Sequence, residues 1–582
     1  MERFVAIIAP TPERSPIAPA IRTAISRAGA LSVAIDREDL FMATSDGPTV
    51  QLLGEGIGVV IGPIFATGKS DPAILLSDFA PGSAPSDLDR ISKKYWGNFV
   101  TILRDQATGF HVMRSPFGRL PCFYAMQDHQ LILASDMSLL SLGGWISRGI
   151  DWSGILRRLT LKDIPSPFTC LTGVRELRGG SRLHLTPDGA SVTQTWNPWD
   201  HAGRRHWIDD RDEAARTVRH AVSTATRASI MRSDRALLML SGGIDSSVLA
   251  AALGTHGCPF TCFNLSSRGT IGDERQYARM VASHMGASIV ETQWNVGMVD
   301  ITRSDALGHP NPNARSFMQG TSRLLGEAVE TSGADLTIDG GGGDNVFFSL
   351  RSIAPVTDAF LHGRSLTEGW STALSIAAMA DVSAATVLRR AAARAFRRSP
   401  AYRWQPMTHY LSPGALNDDA LAPRHPWLEP PRGGETGTAA HIALITAAQG
   451  WAEGNDIISP VRHVTPLASQ PVVEACLRIP SWWWFRKGQN RIVARDAFRD
   501  RLPAPVVDRR TKGTPDSYIA EIFTANRQVI RAMLLDGHLR RAGLLDIPLL
   551  ERALDGEGIV QGTDYHRIMH LADVEAWAAG QT

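Results

Sequence analysis

The chain has 582 residues, which is longer than one typical domain, so we expect at least two domains. Hydrophobic residues make up 43% of the sequence and charged residues 20%, a balance typical of a folded globular protein and not of a disordered one. The 60 basic and 58 acidic residues leave a net charge of +2. A charge this small provides no strong field for nucleic acid or an anionic membrane, so we expect neither as a partner.

The five cysteines are few, odd in number and scattered along the sequence. Cys258 and Cys262 lie four residues apart, which is not the spacing of a CxxC pair. This usage argues against a disulfide framework or a structural zinc site and favours a reducing compartment. The first residues lack the apolar region of a secretion signal, and no apolar run reaches the roughly 20 residues that span a membrane. We therefore expect a cytoplasmic protein.

The first two hundred residues predict a β-rich domain. Short apolar runs cover residues 4–9, 56–65, 95–103, 110–114 and 130–134, with glycine, aspartate and proline between them. Short strands between such turn residues are typical of a sandwich or layered β architecture. We place this domain at residues 1–205.

The pattern changes near residue 205, where strand-like and helix-like runs begin to alternate. The predicted helices are residues 211–231, 246–253, 274–285 and 322–331, and the predicted strands are residues 236–240, 260–265, 288–292 and 335–338. This alternation predicts parallel βαβ units that bind ligands at the carboxyl ends of the strands. After about residue 351 the sequence predicts mainly helices. We place this second domain at residues 206–582.

The first chemical motif follows the strand at residues 236–240, where residues 241–247 read Ser-Gly-Gly-Ile-Asp-Ser-Ser. The two glycines permit positive φ and let the backbone approach a polyanion closely. Ser246 and Ser247 stand at a helix start, where free N–H groups and the helix dipole favour phosphate. Bare phosphate would repel Asp245, so its presence indicates a bridging Mg²⁺. The loop is not a Walker A motif, because no GxxxxGK[ST] pattern occurs.

The second motif is Asp339 followed by four glycines and Asp344, directly after the strand at residues 335–338. Two parallel strands that each end in a glycine turn with an aspartate can place Asp245 and Asp344 around one cation. The third motif is the run from Arg509 to Gly513, which contains Lys512, one of only two lysines after residue 162. A lysine over the reacting centre can stabilise negative charge on a leaving group or an oxyanion.

The loop at residues 241–247 resembles the pyrophosphate loop of the ATP pyrophosphatase superfamily. With residues 96–99, 114–121 and 133–136, the motifs in this order resemble the asparagine synthetase superfamily. The resemblance implies a two-domain α/β protein. Its N-terminal domain would be a β-rich class II glutamine amidotransferase-like sandwich of the Ntn type. Its C-terminal domain would be an ATP-pyrophosphatase synthetase domain with a parallel sheet and a helical C-terminal part.

The resemblance also implies the cofactors, ATP and Mg²⁺, and assigns site residues. Asp245 and Asp344 would hold the metal, and these two carboxylates and Lys512 would be catalytic. The residues expected to bind ATP are Met239, Leu240, Ser241, Gly242, Gly243, Asp245, Ser246, Ser247, Leu265, Asp339, Gly340 and Gly341.

Two positions depart from the family pattern. Glutamine-using members carry a cysteine nucleophile after the initiator methionine, where this sequence has Glu2, so we expect no glutamine hydrolysis. Asparagine synthetases place a glutamate three residues before Asp344, and β-lactam synthetases a tyrosine that helps to deprotonate the amine; this sequence has Gly341. The four glycines predict an open volume that suits a bulky substrate.

Within the superfamily the sequence is most similar to lasso peptide cyclases, at residues 339–347, 424–428 and 466–471. This similarity implies adenylation of an Asp or Glu side chain of a leader-free core peptide, followed by attack of the peptide's N-terminal amine. A leader peptidase and a leader-binding protein of the same pathway are the implied partners. The alternatives are a small-molecule amide or β-lactam synthetase, an asparagine synthetase that uses free ammonia, and a non-catalytic nucleotide-binding scaffold.

Overall fold

The N-terminal part consists mainly of β-strands. The computed structural model describes residues 3–13, 15–27, 31–45, 50–54, 57–73, 84–105, 109–142, 144, 146, 149–267, 273–396, 402, 404–422, 424–453, 458–510, 513, 515–555 and 564–581. In chain order its first elements are β1 (Phe4–Ile8), α1 (Pro19–Arg27), β2 (Leu31–Asp36), β3 (Leu40–Ser45), β4 (Val50–Leu53), β5 (Gly58–Ile61), β6 (Ile64–Ala66), α2 (Ala84–Lys94), β7 (Tyr95–Gly97), β8 (Val100–Asp105), β9 (Gly109–Arg114), β10 (Phe123–Gln127), β11 (Gln130–Ala134), α3 (Met137–Leu140), α4 (Trp152–Leu161), β12 (Arg175–Glu176), β13 (Ser181–Thr186) and β14 (Gly189–Gln194).

Two antiparallel sheets form a sandwich, in the orders β12-β10-β11-β1-β3-β2 and β14-β13-β9-β8-β5-β4. Strand β1 is buried on both faces. Phe4, Ala6 and Ile8 pack between the two sheets, whereas Val5 and Ile7 face a second core that includes helices near the C-terminus. Successive side chains of a strand point to opposite faces, so this one strand joins both cores. The sandwich predicted from the sequence is confirmed.

The C-terminal part contains the parallel sheet and most of the helices. Its elements are α5 (Arg211–Ile230), β15 (Ala236–Met239), α6 (Ile244–His256), β16 (Phe260–Ser266), α7 (Arg275–Met285), β17 (Ser288–Gln293), α8 (Met318–Ser332), β18 (Leu336–Ile338), α9 (Gly343–Val346), α10 (Ala354–His362), α11 (Leu366–Ala380), α12 (Ala384–Ala395), α13 (Asp418–Leu421), α14 (Thr436–Glu453), β19 (Arg462–Val464), α15 (Gln470–Leu477), α16 (Ile492–Ala497), α17 (Ala504–Val507), α18 (Asp516–Asp536), α19 (His538–Arg541), α20 (Ile547–Asp555) and α21 (Asp564–Gln581). Single 3₁₀ turns cover Pro198–Asp200, Arg204–His206, Val296–Met298, Pro426–Leu428, Pro466–Ala468 and Ser481–Trp484.

The sheet of the C-terminal part has five strands, all parallel, in the order β17-β16-β15-β18-β19. Its central strand β15 pairs with β18 in the register Leu238↔Ile338, so the loops that follow both strands leave the same edge. The predicted α/β architecture is confirmed. The sequence pattern missed β19, because three residues are too few to show a period. The domain boundary at residue 205 stays a prediction.

Aromatic side chains hold the sandwich against the helical part. Trp427 is fully buried and contacts Phe117 and Trp196 of the sandwich side, with ring centroids 5.7 and 5.0 Å away. The indole of Trp199 donates a hydrogen bond of 2.9 Å to the Trp427 carbonyl, and that of Trp196 donates one of 2.8 Å to Glu474. Residues 424–428, singled out above from the sequence, therefore lie in the interface between the two parts.

The pair α11 and α12 stands at the surface, and Leu366, Trp370 and Leu374 of α11 are more than half exposed. Across the part of the chain that the structure describes, no single helix is long and apolar enough to cross a membrane. Taken together, α11 and α12 reach that length and apolar composition, but they are bent by 118° at the break between them.

We expect Trp427→Ala to lower the free energy of unfolding by about 3–5 kcal/mol, because it empties the centre of the aromatic interface. Chemical denaturation of the full chain measures this loss. The matched control is Trp370→Ala, since the Trp370 side chain is 51% exposed and its removal creates no buried cavity. Equal losses in both variants would contradict the central position of Trp427.

Candidate functional site

The loop between β15 and α6 is shaped for close contact with its neighbours. Gly242 has φ +74°, and a Cβ there would lie 2.6 Å from the backbone nitrogen of Ala278, so only glycine fits. The Leu240 carbonyl accepts a hydrogen bond of 2.7 Å from the Asn264 side chain, which fixes the loop to β16. Helix α6 begins at Gly243 with no side-chain cap among the described residues. Its first N–H groups can therefore bind an anion.

The three serines of this loop differ in their surroundings. The hydroxyls of Ser241 and Ser246 lie 3.3 Å apart, and Ser241 Oγ accepts a hydrogen bond from the Gly243 N–H. Ser247 is fully buried, and its hydroxyl donates a 2.8 Å hydrogen bond to the Gly243 carbonyl. Ser241 and Ser246 thus remain candidates for phosphate contact, whereas Ser247 stabilises the helix start.

The loop after β18 packs directly on the first loop. A Cβ on Gly340 would lie 2.9 Å from the Ser246 nitrogen, and one on Gly343 would lie 2.7 Å from the Asp245 Cβ. Gly342 has φ +75° and meets the Ala468 side chain. These glycines are required because the two loops approach each other closely.

The prediction of an open volume at the four glycines is wrong. A Cβ built on Gly341 would overlap the six-membered ring of Trp451, which projects from the end of α14. Side chains of Asp245, Leu467, Ala468 and Trp451 fill the space around the loop. The sequence could not show this, because Trp451 lies more than a hundred residues away along the chain.

Asp339 is buried at the start of the glycine loop. Its carboxylate accepts a hydrogen bond of 3.0 Å from the Gly341 N–H and lies 3.1 Å from His463 Nε2. Burial alone would raise the pKa of the Asp339 carboxyl, but the charge and hydrogen bond of His463, with the Gly341 N–H and the charge of Arg119, hold it below its usual value. Asp339 therefore carries a negative charge and fixes the conformation of the loop.

Asp245 and Asp344 both contact one guanidinium, that of Arg491. Arg491 Nε is 3.2 Å from Asp245 Oδ1, and Arg491 Nη2 contacts Asp344 Oδ1. The side chains of Arg491 and Asp245 are 8% and 10% exposed, and that of Asp344 is 43% exposed. No pattern in the sequence predicted this contact; Arg491 directly precedes the short helix α16.

The two aspartates fit a Mg²⁺ ion by their chemistry. Their oxygens converge on one cation, and carboxylate oxygens are the ligands that Mg²⁺ prefers. Asp245 and Asp344 are therefore the residues that would hold the metal.

Lys512 lies outside the described residues, but its neighbours on both sides bind one acid. Arg509 Nη2 is 2.7 Å from Glu274 Oε1, and the Gly513 N–H donates a 2.9 Å hydrogen bond to the same oxygen. Arg509 also reaches the Gly242 carbonyl at 3.4 Å. The described residues that flank Lys512 are thus fixed beside the loop of residues 241–247.

The remaining predicted ATP-binding residues, Met239, Leu240 and Leu265, lie at the carboxyl ends of two adjacent strands. Met239 ends β15 and pairs with Phe263 of β16, two residues before Leu265. Met239 and Leu265 are half-buried, and Leu240 is buried. Their roles stay predictions, but their placement at one sheet edge agrees with a nucleotide site there.

We expect Gly341→Ala to destabilise the protein by about 1–3 kcal/mol, because the added methyl group overlaps the Trp451 ring. Replacing Trp451 by alanine in the same chain should remove most of this loss. The matched control is Gly342→Ala, whose positive φ causes strain that Trp451→Ala cannot relieve. Thermal unfolding of the single and double variants gives the coupling, and simple additivity at residue 341 would contradict the contact.

We expect Arg491→Met to lower the free energy of unfolding by about 3 kcal/mol, because the carboxylates of Asp245 and Asp344 then lack the guanidinium that pairs with both. Mg²⁺ should raise the melting temperature of this variant more than that of the wild type, since the metal would replace the lost charge. Unfolding in EDTA and in MgCl₂ measures both effects. Arg219→Met, which breaks an exposed pair with Asp500, is the control. Equal responses to Mg²⁺ would contradict a shared cation site.

Two family profiles match the chain. The asparagine synthase profile covers residues 217–579, and the glutamine amidotransferase domain profile covers residues 68–197. Two solved structures share 10% and 9% sequence identity with the chain: an allosteric regulatory enzyme of purine biosynthesis, and glutamine phosphoribosylpyrophosphate amidotransferase from B. subtilis. They cover 50% and 59% of this chain and 74% and 77% of their own, with TM-scores of 0.20 and 0.21. Likeness this weak carries no argument.

Two curated proteins of Bacillus subtilis (strain 168) are similar to a part of the chain. Asparagine synthetase [glutamine-hydrolyzing] 3 is 24% identical over 144 residues, which is 25% of this chain and 23% of that protein. Asparagine synthetase [glutamine-hydrolyzing] 1 is 29% identical over 140 residues, which is 24% of this chain and 21% of that protein. The match thus spans less than a quarter of the length of either relative. The asparagine synthase profile covers residues 217–579, well over half of this chain. The chain therefore belongs to the asparagine synthase family.

Proposed function

We propose that the protein is an AMP-forming, ATP-dependent amide ligase that closes the macrolactam ring of a lasso peptide. The observation that carries the proposal is the shared sheet edge. There, the start of α6, which has no side-chain cap among the described residues, lies beside Asp245 and Asp344, and both carboxylates pair with the Arg491 guanidinium. That arrangement suits cleavage of a nucleotide between its α and β phosphates. The substrate would be a leader-free core peptide with an internal Asp or Glu, supplied by a leader peptidase and a leader-binding protein.

The cysteines support a reaction without glutamine hydrolysis. The sandwich part contains only Cys122 and Cys170, and both are buried. Burial raises the pKa of each thiol to about 12, so neither forms the thiolate that a nucleophile needs at neutral pH. Glu2, where glutamine-using relatives carry a cysteine, lies outside the described residues. The amine would therefore come from the substrate itself.

Gly341 supports a reaction in which no side chain at this position deprotonates the attacking amine. The relatives that carry Glu or Tyr at this position bring a polar group to the amine, whereas here the position is covered by the Trp451 indole. An apolar wall cannot take a proton. The barrier would then be lowered mainly by positioning, which is worth up to about 7–11 kcal/mol when reactants are held in line.

The proposed chemistry has two steps. A carboxylate oxygen of the peptide attacks the α-phosphorus of ATP, the bond to the bridging oxygen of the β-phosphate breaks, and pyrophosphate leaves. The N-terminal amine then attacks the acyl carbon, the carbon–oxygen bond to AMP breaks, and the amine proton passes to solvent. Bound Mg²⁺ would neutralise phosphate charge. The start of α6 would bind pyrophosphate, and Lys512 would stabilise charge on the α-phosphate.

We expect Asp245→Asn to reduce peptide-dependent AMP formation by about 10²–10³-fold, the range typical for loss of an electrostatic contact to the transition state. Chromatography of the nucleotides, with mass spectrometry of the peptide, measures AMP, pyrophosphate and the loss of one water from a panel of synthetic leader-free core peptides. Asp209→Asn is the matched control, because the Asp209 side chain is 91% exposed.

Three other results would contradict the proposal. AMP formation that needs free aspartate and ammonia would indicate asparagine synthesis. Ring closure of a small amino acid substrate, with no response to peptides, would indicate a small-molecule synthetase. A folded protein that forms no AMP with any of these substrates would be a nucleotide-binding scaffold.

A further inference from the structure

A cavity of about 260 Å³ lies between the sandwich and the helical part, away from the nucleotide site. Its sandwich side includes Arg157 and Arg158 of α4, Phe168 and Glu176. Its opposite side includes the loop around Asn311, the residues around α13, and Gly450 of α14. The volume is several times the roughly 30 Å³ of one water molecule in the liquid, so the cavity holds an organic group of a few residues' size.

The charged residues that line the cavity leave a positive excess. Three arginines and two acids line it: Arg157, Arg158 and Arg424, with Glu176 and Asp419. Asp419 pairs with Arg424 at 2.6 Å, and Glu176 pairs at 3.1 Å with Arg114, which is not a lining residue. Burial, with the nearby charge of Arg158, lowers the pKa of His309 to about 3, so this lining ring is neutral. The two arginines of α4 therefore carry the excess charge.

Two polar atoms at this cavity have unused hydrogen-bonding capacity. Arg157 Nη1 and Asn313 Oδ1 are buried and have no hydrogen-bond partner among the described residues. The Arg157 guanidinium stacks on the Phe168 ring at 4.6 Å, which holds it in place without satisfying its donors. A guanidinium donor without an acceptor is costly, so rotation of the Arg157 side chain toward a ligand oxygen in the cavity would be favourable.

A smaller cavity lies beside the first one. It has a volume of about 30 Å³, shares Arg158, Asn313 and Gly450 with the first cavity and reaches Trp451. Lys162 and Arg315 line this second cavity with positive charge, and Asp163 adds one negative charge. The Trp451 ring, in turn, lies against Gly341 in the loop between Asp339 and Asp344. Basic residues therefore outnumber acids along the two cavities, and Trp451 lies between the second cavity and the glycine loop.

We propose that the interdomain cavity binds a carboxylate-bearing segment of the peptide substrate, that Arg157 contacts this carboxylate, and that Trp451 separates the segment from the reacting centre. The proposal rests on the proposed function, because it names where that substrate is held. The carboxylate is the C-terminus of the peptide, because the side chain that reacts has to reach the α-phosphorus on the other side of Trp451. Arg157 is a binding residue in this account and takes no part in the chemistry at phosphorus.

The test compares Arg157→Gln with the wild-type full chain. The probe is a fluorescein-labelled core peptide, and fluorescence anisotropy without ATP gives its Kd. We expect Arg157→Gln to raise Kd and the KM for peptide by about tenfold or more, with kcat and the KM for ATP unchanged, because a charged hydrogen bond is lost from binding only. Arg323→Gln, at a side chain that is 67% exposed, is the matched control and should leave all four constants unchanged.

A second variant guards against a folding defect. Ala422→Trp fills the cavity without removing a charge, and it should also weaken peptide binding while leaving the KM for ATP unchanged. Two further probes test the source of the carboxylate: a peptide with a C-terminal amide and a peptide with Asn at the reacting position. The amidated peptide should bind wild type and Arg157→Gln equally, whereas the Asn peptide should still bind wild type more tightly; the opposite pattern would overturn the assignment.

Equal peptide affinity in wild type, Arg157→Gln and Ala422→Trp, with AMP formation retained, would overturn the cavity assignment and leave the proposed function intact. Loss of ATP binding in Arg157→Gln would also overturn it, because the residue would then belong to the nucleotide site or to the fold. If wild type neither binds nor converts any peptide of the panel, the proposed function fails together with this inference.

Discussion

The close approach of two loops is the constraint on which the site depends. Gly340 and Gly343 let the loop after β18 rest on Asp245 and Ser246 at the start of α6, with no room for a side chain at either glycine. This approach brings Asp245 and Asp344 together, and two neighbouring carboxylates repel each other unless a cation lies between them. Arg491 supplies such a cation. The glycines thus place the charges, and the arginine makes their placement stable.

The short-range features of the molecule were predictable from the sequence. The alternation of strand-like and helix-like runs from residue 205 predicted the parallel sheet. The two aspartate–glycine motifs predicted the sheet edge at which Asp245 and Asp344 both contact Arg491. The partners supplied by distant segments were not predictable. Trp451 on Gly341, His463 beside Asp339 and Arg491 between the aspartates each come from more than a hundred residues away. Nothing in local periodicity marks such contacts.

The wrong expectation at the glycines changes the physical picture of the substrate site. Absence of a side chain at Gly341 suggested empty space, but the indole of Trp451 occupies it. A cavity of about 260 Å³ lies instead between the two parts of the molecule, under α4 and beside α13. Buried aromatic contacts around Trp427 fix the two parts against each other, so this volume has walls of defined shape. A sandwich without a usable thiol can still serve as one side of a binding cavity.

The central claim is that a substrate carboxylate is activated on the α-phosphorus of ATP at the edge shared by Asp245 and Asp344. The most direct measurement follows ¹⁸O from a core peptide labelled in its Asp or Glu side chain, with the products resolved by mass spectrometry. The account predicts one ¹⁸O atom in AMP for each ring closed, and none in pyrophosphate. Label in orthophosphate with formation of ADP, or AMP without label, would contradict it.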